Sequence, residues 1–128
     1  MIIITIKPLR AELIDFSVKE ETAEMNIWFT DGADEHKLAI NRKIVNPEEL
    51  AEQMIIEMRK IVKKNHTPQS NGYDEILAVR FENEDDAVKK LQRFFEMVKE
   101  KVREVKMIKT AKGYLDTLTR AKKLEIEF

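Results

Sequence analysis

The period of the hydrophobic pattern changes part-way along the chain. Between residues 1 and 42 apolar side chains recur at every second position, and from 47 to 108 they recur mainly in steps of three and four. Period two puts neighbouring side chains on opposite faces of a strand, and a period near 3.6 draws one stripe along a helix. Strands grouped ahead of helices point to an α+β domain, with helices packed on one face of a sheet. A chain of 128 residues fits one such domain, here residues 1–128.

The early strands are read from Met1–Ile6, from Ile14, Phe16 and Val18, and from Ala23, Met25, Ile27 and Phe29. Asp31-Gly32 is a hairpin signal, and Leu38 and Ile40 continue the alternation beyond it. Residues 1–42 therefore read as an antiparallel meander. Asn46 is a good N-cap and Pro47 suits the first helical position. Glu48 and Glu49 favour the positive end of the dipole, and Lys63 and Lys64 the negative end. The stripe Leu50, Met54, Ile55, Met58, Ile61 and Val62 predicts a helix over about 47–65.

Leu77, Val79 and Phe81 predict a short strand. A longer helix over about 84–108 carries Val88, Leu91, Phe95, Val98, Val102 and Val105 at steps of three and four. Ala111, Leu115 and Leu118 would fit a third helix across 109–122, weakened by about 1 kcal/mol at Gly113. Leu124, Ile126 and Phe128 suit a closing strand. The expected architecture is a two-layer α+β domain. An antiparallel or mixed sheet of about five or six strands carries two main helices on one face.

Several chemistries are ruled out. The chain has no cysteine, which removes disulfides, thiolate zinc sites and a cysteine nucleophile. Its three glycines form no phosphate loop or dinucleotide fingerprint, and no cofactor is implied. Absent cysteine, no signal-peptide core and no membrane-length apolar run make a cytoplasmic location the expectation. Charged residues make up 37% of the chain, well above the usual quarter. Abundant Lys and Glu, with few Gly and Pro, match proteins of hot environments, so a high melting temperature is expected.

Four places could carry function. Asp31, Asp34, Glu35 and His36 crowd the hairpin turn, where a solvated turn is expected and no metal site. His66 ends the first helix, a position that suits a cation. It would serve as an acid or base only if a carboxylate or second polar group converged on it in a concave pocket. Residues 99–128 carry 9 basic and 5 acidic side chains, against 6 and 12 in residues 1–57. Lys99, Arg103, Lys106, Lys109, Lys112 and Arg120, with Tyr114 as a stacking ring, form the nucleic-acid candidate within segment 99–123. Trp28 stands on the polar face of its strand, where packing under a second layer is the expectation and anchoring a partner the alternative. Three-four spacing is also that of a helix packed on a sheet, so the stripe of the longer helix is more often core. Yet its narrow half Val98, Val102 and Val105, lying among charges, could pair helices between chains.

Three readings follow, in this order. The first is a non-catalytic interaction or assembly protein, a homo-oligomer or the binder of another protein, using Trp28, Val98, Val102, Val105 or a sheet edge. The second is a nucleic-acid-associated protein using the basic segment. The third is a small enzyme with its site near His66. No family motif is recognisable in these residues.

Overall fold

A computed structural model describes residues 2–66, 77–108 and 124–128. Its longest strand, β1 (Ile2–Ser17), pairs with three others. β2 (Thr22–Thr30) runs antiparallel to β1 from Lys7 onward, and β3 (Glu35–Lys43) runs antiparallel to the whole of β2. β4 (Leu77–Phe81) runs parallel to Ile2–Ile6, and β5 (Glu125–Glu127) antiparallel to Arg10–Glu12. The result is a mixed five-stranded sheet in the order β3-β2-β1-β4, with β5 also on β1. Helices α1 (Pro47–Asn65) and α2 (Glu84–Ile108) complete the α+β fold.

β1 differs from its sequence reading in an instructive way. The two early strands are one, interrupted by register shifts at Pro8/Arg10 and Leu13/Asp15. Leu9 and Ile14 are each an extra residue opposite β2, and each reverses which face the following side chains take. The core side therefore receives Ile4, Ile6 and Pro8, then Ala11 and Leu13, then Phe16. Ile14, expected beside Phe16 on one face, is the bulge residue, and Leu13 takes the core position instead.

The hairpin between β2 and β3 is built by its own side chains. Thr30 Oγ1 accepts the Gly32 N–H at 3.1 Å and donates to the Asp34 carbonyl at 2.9 Å. Gly32 has φ +96°, a conformation that glycine adopts without Cβ strain.

The helices lie on one face of the sheet and share one core with it. Phe29, Phe94, Phe95, Ile6, Leu13 and Met25 are its largest fully buried members. Burial of each phenylalanine contributes about 1.5–3 kcal/mol. Asn46 caps α1 by accepting the Glu49 N–H at 3.2 Å. Arg42 ties β3 to α1 through Glu57 at 2.8 Å, and Arg59 ties α1 to Glu84 at the start of α2 at 2.8 Å. No helix among the described residues is long and apolar enough to cross a membrane.

The valine stripe has a different place from the one its charged surroundings suggested. Val98 and Val105 are fully buried and Val102 is 8% exposed, all within one chain's core. The stripe offers no free apolar surface for pairing helices between chains. The third helix considered over 109–122 lies outside the described residues.

Candidate functional site

Two polar constellations stand out, one on each face of the sheet. On the helix side, the chain's only two histidines converge on one carboxylate. α1 follows β3 and runs back over the sheet. Nineteen helical residues cover about 28 Å and nine strand residues about 30 Å. The end of α1 therefore returns to the start of β3. That brings His66 to the hairpin that carries Asp31 and His36.

Asp31 Oδ1 accepts the N–H groups of Ala33 and Asp34 at 2.9 and 2.7 Å. Its Oδ2 lies 2.9 Å from His36 Nε2 and 2.8 Å from His66 Nε2. An ionised carboxylate only accepts, so both Nε2 atoms are assigned as N–H donors. Asn65 Nδ2 lies 3.3 Å from His36 Nδ1 and donates to it when the ring is neutral. Phe29, opposite His36 across the two strands, stacks on its ring at 5.3 Å. Burial on its own would push the Asp31 carboxyl up. The hydrogen bonds from Asp34, His36, His66 and Ala33 outweigh that and hold it well below the usual carboxylate range.

Gly32, Ala33, Asp34 and Glu35 are exposed, as expected of a solvated turn, but Asp31 is only 8% exposed. His66 does not stand alone. Its side chain is 34% exposed, against 13% for His36, and its Nδ1 has no partner among the described residues. Two imidazoles and a carboxylate are also metal-ligand types. Yet among the described residues no group of three or more His, Asp or Glu is arranged to hold an ion. Both rings are directed at Oδ2 itself, which closes the cluster by hydrogen bonding.

On the other face, Trp28 is half-buried near the middle of the sheet. Arg10, its partner residue on β1, lays its guanidinium over the indole at 4.6 Å and continues to Glu35 of β3 at 2.7 Å. One arginine thereby bridges three strands. Lys37 lies opposite Trp28 on β3, and Asn26 donates to Glu12 at 3.2 Å one position along that face. Neither helix covers Trp28, because α1 and α2 pack against the opposite, apolar face. The alternation of β2 foretold which way Trp28 faces, but the Arg10 stack depends on the bulge at Leu9. Without that extra residue Arg10 would point into the core.

No protein-family model, curated protein or solved structure matches this chain.

The basic late segment is only partly described. Lys99 donates to the Val45 carbonyl at 3.0 Å, and Arg103 is exposed. The side chain of Lys106, together with Lys109, Lys112, Tyr114 and Arg120, lies outside the described residues.

Proposed function

We propose that this chain is a small non-catalytic interaction protein, and that it binds a protein partner through the face of its sheet that neither α1 nor α2 covers. The single observation behind this reading is Trp28, half-buried under Arg10 at the middle of that face. Trp and Arg are the residues most enriched among interface anchors, and a ring already held by its neighbours loses little freedom on binding. Glu12, Glu35 and Lys37 place charges of both signs around the indole, suiting a polar rim. The test is retention of a partner from extracts of the source cells. Wild type and Trp28→Phe should retain it, and Trp28→Ala and Arg10→Ala should lose it. A partner held equally by all four variants would place binding elsewhere.

A second reading has one specific observation in its favour. The Asp31 carboxylate sits 2.8 Å from His66 Nε2 while Nδ1 of the same ring has no partner among the described residues. A carboxylate that fixes an imidazole's tautomer and steadies its charged form is the arrangement used for general acid–base work. Turnover of an ester or phosphate-ester reporter that disappears in both His66→Asn and Asp31→Asn would favour proton transfer over binding.

A further inference from the structure

We infer that two copies of this chain pair through the first half of β1, joining their sheets across a two-fold axis. This rests on the edge of β1 alone and not on the Trp28 face. β2 ends opposite Lys7, and β4 covers only one side of Ile2–Ile6. Among the described residues, no strand pairs with the other side. A strand edge left in this state is a template for another strand.

The chemistry of the segment selects the occupant. Ile2, Ile3, Ile4, Thr5 and Ile6 carry no charge and are all β-branched, so like can lie against like without repulsion. Ile2 and Ile3 are 50% and 43% exposed, on opposite faces of the strand. The outer edge of β3 carries Glu35, Lys37, Arg42 and Lys43, charges of the kind that guard an edge against pairing. The beginning of β1 has no such guard.

Backbone direction fixes the register. The Ile6 carbonyl accepts the Glu82 N–H, so Ile6, Ile4 and Ile2 turn their peptide groups toward β4. By alternation Ile3 and Thr5 turn theirs to the open side. An antiparallel two-fold centred on Ile4 then sets Ile3 against Thr5 of the partner subunit as a hydrogen-bonded pair, twice over. Ile2 then lies opposite the partner's Ile6 in the register, on the helix side. A two-fold interface of this kind is self-complementary. Five paired residues make a small contact, so the affinity falls on the order of micromolar, at the weak end of specific association.

The experiment is light scattering on the full chain over a concentration series from low to high micromolar. Wild type should pass from monomer to dimer. Ile3→Lys puts a charge on the exposed side of the edge, and Thr5→Pro removes an N–H that the β4 ladder does not use. Each should weaken association at least tenfold while the circular dichroism spectrum stays that of wild type. Trp28→Ala should dimerise like wild type, which separates this pairing from the proposed partner face. A wild type that stays monomeric across the series overturns the inference. So does a dimer unaffected by both edge variants, or one dissolved only by Trp28→Ala.

Discussion

At the scale of single residues, Asp31 bears the most weight. It is the one buried charged side chain among the described residues, and four donors hold it ionised. Asp31→Asn would turn an amide N–H toward donors and should cost about 1–3 kcal/mol at neutral pH. A carboxyl held below its unfolded value contributes stability that is present above the unfolded pKa and lost as pH falls. Urea unfolding at a series of pH values should show the gap between wild type and Asp31→Asn at full size near neutrality. The gap should narrow as pH drops below about 4. A gap independent of pH would mean that the Asp31 carboxyl titrates alike in the folded and unfolded chain. The parts of this cluster were visible in the sequence separately, as a crowded turn and a histidine at a helix end. Their convergence was not, because it depends on α1 and β3 having matched lengths and opposite directions.

At the scale of elements, the helices were legible almost to the residue, since their caps, end charges and stripes all agree on the same boundaries. β1 was not. Pattern reading assumes one parity along a strand, and two bulges break that assumption at Leu9 and Ile14. This predicts an asymmetry between deletions. Removing Ile14 deletes the extra residue, closes the bulge and leaves every core position of β1 facing inward. Removing Asn26 from the unbulged β2 turns either Ala23 and Met25 or Ile27 and Phe29 outward. The Ile14 deletion should unfold cooperatively with a modest loss of stability, whereas the Asn26 deletion should show no cooperative transition by circular dichroism. The valine stripe teaches a related lesson about α2. Heptad steps are shared by coiled coils and by helices on sheets, and burial alone distinguishes them.

At the scale of the whole molecule, β2 is the strand flanked along its full length on both sides, and its inner face is covered by core. Amide exchange should therefore be slowest in Ala23–Phe29 and faster along β3, whose outer edge no described strand covers. Slowest exchange in α2 instead would make the helix pair the most persistent unit. Function was the least legible property, because the chain carries no motif and its two polar constellations are assembled from distant segments. Yet the pair of histidines gives the molecule an unusual convenience. Both report from one junction between hairpin and helix end, and the sequence holds no third. Their Cε1 protons give a two-line spectrum that needs no assignment beyond telling one ring from the other. Any partner, proton or small molecule that opens or closes this junction would announce itself there, in an unlabelled sample, before its identity is known.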